Sequence, residues 1–125
     1  MTLTWLLRLH ALLAAIYALG LLAFPRLILS LLSGGPLDPV AVAITQLFGA
    51  ALVLVTLVAW GASRSTDRSL RRFVTTALLV YVTLGLLLTL IGQFNGTWKP
   101  LGWINVVSYL IFVLGYGYYL FIRPE

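Results

Sequence analysis

The chain has 125 residues, of which 62% are apolar and only 9% charged, too little polar material to clothe a water-soluble fold of this size. Its net charge of +5 sits in short connections and does not form a broad basic face, which argues against nucleic-acid binding. The absence of cysteine excludes disulfides, thiolate metal sites and thiol catalysis. What remains is a chain that alternates four long apolar runs with polar punctuation.

The predicted fold is an all-α, polytopic membrane protein: a four-transmembrane-helix bundle forming a single domain over residues 1–125. The spans are placed at about 4–24, 40–61, 73–93 and 101–122. A helix rises about 1.5 Å per residue, so some 20 residues cross a hydrocarbon core of about 30 Å. Period-two alternation of the kind a β-barrel needs is absent.

The first span carries Arg8 and His10 in its opening turns. Arg8 ahead of an apolar stretch imitates a secretory signal, but the stretch continues to Phe24, which favours an uncleaved span. His10 is the single histidine and a candidate axial ligand for haem or a chlorophyll-type pigment. The plainer reading gives it a hydrogen-bond partner instead. Pro25 closes or kinks this span, and the segment 25–34 is too short to cross. Arg26, Ser30 and Ser33 recur there at helical spacing among leucines, which predicts a short interfacial helix between spans one and two.

Asp38-Pro39 is a capping carboxylate followed by a proline suited to the first helical position, and it opens the second span. The next connection holds Arg64, Arg68, Arg71 and Arg72 against Asp67, with Ser65, Thr66 and Asp67 available to cap the following helix. By the positive-inside rule this loop is cytoplasmic, and both termini follow it. Arg8, Arg123 and these four arginines make six of the eight basic residues, leaving Arg26 and Lys99 outside. The aromatic residues Trp5, Trp60, Tyr116, Tyr118 and Tyr119 gather near the inner boundary, and Phe94, Trp98 and Trp103 near the outer one. Interfacial belts explain this without a cofactor, so none is expected, although a pigment, haem or quinone would be compatible with such belts.

Small residues mark where helices can approach. Gly85, Thr89, Gly92 and Gly96 form a stripe on the third span, suited to packing within one chain or between copies. The first span offers Ala11, Ala14, Ala15 and Ala18, and the second offers Ala43, Gln46, Gly49 and Ala50. On the fourth, Asn105, Ser108, Phe112 and Gly115 share a face.

The most informative polar cluster lies toward the outer side. Gln46, Gln93 and Asn105 fall at similar depth on three spans, and amides in lipid normally face the bundle interior. They either join helices or line an outward-opening pocket with Ser108 and with Arg26 at its rim. No acidic residue lies inside a span, which disfavours ion-coupled transport. No metal cluster, nucleophile elbow or phosphate loop is legible, so an enzyme is not expected.

The order RLHALLAAIYALGLL, FP, QLFGAALVLVTLVAW before a basic loop, GW and a final GYGYYLF resembles small four-span proteins of bacterial genomes. The resemblance spans nearly the whole chain and implies a multi-pass protein of the bacterial inner membrane, with no activity attached. Two functions follow as expectations. One is a non-catalytic membrane subunit or scaffold, partnered by lipids and by copies of itself or a larger complex. The other is a binding or transport protein for a lipid or small amphiphile, using the outer polar cluster.

Overall fold

The computed structural model describes residues 2–124. Five α-helices follow one another: α1 (Leu3–Ala23), α2 (Pro25–Leu32), α3 (Pro39–Arg64), α4 (Arg68–Phe94) and α5 (Trp103–Gly117). A 3-10 turn, Pro100–Gly102, leads into α5, and π-helical Tyr118–Ile122 continues it. Four of these units, with α5 counted together with its flanking turns, are long and apolar enough to cross a membrane.

Capping chemistry sets the helix starts. The Thr2 hydroxyl accepts from Trp5 N, Asp38 Oδ1 accepts from Ala41 N at 2.7 Å, and Asp67 Oδ1 accepts from Ser69 N and Leu70 N. Pro25 separates α1 from α2 by driving Phe24 out of helical backbone, to φ −131° and ψ 53°. The expected interfacial helix is therefore α2, a helix of its own. The two long central helices reach further than their apolar runs: α3 continues to Arg64 and α4 begins at Arg68, so the basic connection is only three residues of non-helical chain.

The helices form a ring in the order α1, α3, α4, α5, with antiparallel neighbours. Packing is close within the pairs α1/α3 and α4/α5 and sparse between them. At the end that carries both termini, all four helices meet. Leu6, Leu7 and Ala11 pack there with Ala59, Ala62, Val74, Leu78, Val82, Phe112 and Tyr116. Arg71 clasps this end, donating to the carbonyls of Ala62 and Ser65 and to Thr4 Oγ1 at 3.0 Å. Arg8 lies between the rings of Trp5 and Trp60, at 5.7 and 5.4 Å from their centroids.

Toward the far end only α1 and α3 share a buried apolar cluster, made by Ala14, Ala18, Leu21 and Leu52. Gly49 lets the two backbones approach, since a Cβ there would stand 3.0 Å from Leu21 and 3.1 Å from Leu22. On the other pair, Gly85 receives the ring of Tyr109 and Gly92 the indole of Trp98. The two pairs thus separate as they leave the shared core.

The α2 helix ties the far end together. Lys99 N donates to Leu32 O at 2.7 Å, Gly34 N to Thr97 O at 3.0 Å, and Lys99 Nζ to Ser30 O at 2.7 Å. These bonds fasten the α2–α3 side to the α4–α5 turn. Gly96 belongs to that turn, with φ +82° and nothing within 4 Å of a would-be Cβ. It lies beyond α4, so the small-residue stripe ends at Gly92, a correction to the helix-packing role expected for Gly96.

Candidate functional site

Where the helix pairs separate lies a partly open cavity of about 320 Å³. That volume lies at the lower end of the range for small-molecule sites. The α1 wall is His10, Leu13, Ala14, Ile16, Tyr17 and Leu21, of which His10, Ala14, Tyr17 and Leu21 follow the 4–3–4 spacing of one helical face. Thr45, Phe48 and Leu52 come from α3, Tyr81 and Thr89 from α4, and Asn105, Ser108, Tyr109 and Phe112 from α5. Ile28, Leu29, Leu32 and Trp98 close the far end. The wall contains no charged side chain.

The floor is aromatic. His10 is buried and stacks on Phe112 with centroids 4.3 Å apart, while the ring of Tyr81 runs nearly parallel to it at 6.4 Å. The His10 Nδ1 is 2.7 Å from the Tyr116 hydroxyl, which lies in the shared core and outside the cavity wall. The hydrogen-bonded reading of His10 is thus the observed contact. Tyr116, expected in an interfacial belt, is fully buried because α5 turns its ring inward to this histidine.

A polar contact crosses the gap between the helix pairs higher up. The Tyr17 hydroxyl of α1 donates to Asn105 Oδ1 of α5. Tyr81 and Tyr109 share a hydroxyl contact at 3.3 Å. The hydroxyls of Thr45, Thr89 and Ser108 donate to their own helices, to the carbonyls of Ala41, Gly85 and Ile104. Leu13 and Ile16 of α1, Phe48 of α3 and Ile104 of α5 line the cavity and are also exposed, so the cavity opens to the outer surface beside α1.

Of the residues expected to form an outer pocket, Asn105 and Ser108 lie together in the wall. Gln46, Gln93 and Arg26 do not join them. Gln46 points outward, and its Nε2 reaches Leu22 O at 3.5 Å. Its neighbour Thr45 takes the inward position, and one residue along a helix is a rotation of about 100°. Gln93 donates to Lys99 O at 2.9 Å and packs on the turn at Gly102, so it serves the α4–α5 connection. Arg26 is exposed on α2. Sequence reasoning missed Tyr17, Tyr81 and Tyr109. Their signal was present, since these phenols sit well inside the spans and away from the boundary belts. Thr89, expected in the packing stripe, faces the cavity as well. Among the described residues there is no group of histidine and acidic side chains arranged to hold a metal ion.

Over residues 1–121 the chain matches a family described as "Domain of unknown function (DUF8292)", and it belongs to that family. No curated protein and no solved structure matches it.

Proposed function

We propose that this protein binds a lipid or small amphiphile inside the membrane, in the cavity between its two helix pairs. The observation that carries the reading is the uncharged cavity of about 320 Å³, apolar over most of its wall, with His10 and Tyr17 of α1 and Asn105 and Ser108 of α5 set into it. The opening at Leu13, Ile16, Phe48 and Ile104 faces outward from the bundle, so a ligand dissolved in lipid reaches the site without crossing water. A scaffold assembled through small-residue seams has less to support it. Gly49, Gly85 and Gly92 each meet a side chain of the same chain.

Filling the cavity tests this directly. Ser108→Phe projects a ring into the space while leaving the closely packed end of the bundle intact. Small molecules copurifying with the wild type should be lost from the variant when lipid extracts are compared by mass spectrometry at equal folded fraction. Identical extracts would contradict ligand binding in the cavity.

The membrane placement belongs to the same proposal: a bacterial inner-membrane protein with both termini and the Arg64, Arg68, Arg71 and Arg72 cluster in the cytoplasm. The support is the six-to-two distribution of basic residues across the bundle. Single cysteines at Thr66 and Gly35, exposed at opposite ends, provide the test in a chain with no native cysteine. An impermeant thiol reagent should label Gly35→Cys in intact cells and Thr66→Cys only after lysis. The reverse pattern would invert the topology.

A further inference from the structure

We propose that the cavity selects an uncharged, membrane-soluble molecule by its carbonyl-type acceptor oxygen, with His10 Nε2–H as the principal donor to that oxygen. This rests on the binding reading above and specifies the chemistry of its ligand. The tautomer follows from the surroundings of Tyr116. That residue is fully enclosed, and among the described residues the only hydrogen-bond partner of its hydroxyl is His10 Nδ1, at 2.7 Å. If Nδ1 carried the proton, the phenolic proton would be buried without an acceptor, a costly arrangement. With Tyr116 donating to Nδ1, both groups are satisfied, and the imidazole proton resides on Nε2. Tyr116 lies behind the wall and His10 within it, so this second nitrogen is the one left for the cavity.

The rest of the wall points the same way. The hydroxyl protons of Thr45, Thr89 and Ser108 are committed to backbone carbonyls. The Tyr81–Tyr109 contact uses one phenolic proton and leaves the other, and Asn105 accepts from Tyr17 through Oδ1 while its amide nitrogen has no partner among the described residues. The donors left unfilled around the cavity are therefore His10 Nε2–H, one tyrosine hydroxyl and the Asn105 amide, and unfilled donors are tolerated less well than the unfilled lone pairs that the hydroxyl oxygens also carry. With no charged side chain in the wall and no carboxylate within a span, a charged headgroup would lack a counter-ion there. A neutral carbonyl beside an apolar or aromatic body satisfies both the donors and the rings of His10, Phe112 and Tyr81.

Two probes of one skeleton separate the carbonyl from the body: menadione and 2-methylnaphthalene. Menadione reacts with thiols, but the chain has none. Their affinities for the full chain in detergent micelles can be read from the rise of the unfolding midpoint with ligand concentration. The paired variant His10→Phe with Tyr116→Phe keeps the rings and strands no hydroxyl. The ratio of menadione to 2-methylnaphthalene affinity should fall about tenfold from wild type to this variant, the worth of one buried hydrogen bond. The hydrocarbon should bind both proteins equally, which shows the cavity intact. An unchanged ratio overturns recognition through His10 while leaving cavity binding in place. Failure of the wild type to bind either probe overturns the binding reading and this inference with it.

Discussion

Gly85→Leu is expected to destabilise the purified protein severely, whereas Gly61→Leu should leave its unfolding midpoint almost unchanged. Both positions are helical glycines, and the substitution adds the same atoms. At Gly85 the new Cβ alone would stand 2.6 Å from the ring of Tyr109, which the opposing helix holds in place. At Gly61 nothing lies within 4 Å. Overpacking of a close contact typically costs about 1–3 kcal/mol. Leucine at Gly85 belongs in the upper part of that range, because relief means swinging the Tyr109 ring into the cavity and away from the Tyr81 hydroxyl, or moving α5 away from α4. Gly92→Leu should behave like Gly85→Leu, since the indole of Trp98 occupies the space beside it. Thermal unfolding in detergent, followed by circular dichroism, provides the comparison. Equal midpoints for Gly85→Leu and Gly61→Leu would mean that α4 and α5 do not pack as described.

Arg71→Gln should come next in effect, at about 1–3 kcal/mol, with Arg72→Gln as its control. Hydrogen bonds from charged groups contribute about 1.5–3 kcal/mol when well shielded, and partial exposure reduces that value. Arg71 is half-buried and joins three parts of the closed end through Thr4, Ala62 and Ser65. Arg72 is exposed one position further along α4. A surface change of that kind usually stays within about 0.5 kcal/mol. Urea or thermal titrations of the two variants should therefore diverge, and coincidence would remove Arg71 as a clasp. The positive-inside argument uses all four arginines alike, whereas the structure gives this one a second task.

The contrast between Arg71 and Arg72 shows what could be read from the chain beforehand. The four long helices were legible as apolar runs of the length and composition that a hydrocarbon core would demand, and caps such as Asp38 and Asp67 were legible because their chemistry is local. Helix ends were less so. The apolar runs stop near Gly61 and resume near Phe73, but backbone hydrogen bonding continues through Arg64 and starts again at Arg68. The site was half legible: depth along a helix can be counted in a sequence, but azimuth cannot. Gln46 and Asn105 have comparable depth, but a rotation of about 100° puts Thr45 in the wall and Gln46 outside. Ser108 shares the wall with Asn105 because it lies one turn further on the same face. Tyr116 was ambiguous for a different reason, since a tyrosine near a span end serves a boundary belt or a buried pair equally well until its neighbour His10 is placed.

Ligand occupancy of the purified chain is the most direct measure of whether the cavity is a binding site. Native mass spectrometry after extraction in mild detergent should show the chain carrying one small neutral molecule, released by collisional activation, and Ser108→Phe should appear without it. A wild-type spectrum containing only the bare chain, or an adduct retained equally by Ser108→Phe, would contradict the assignment of the cavity as the functional site.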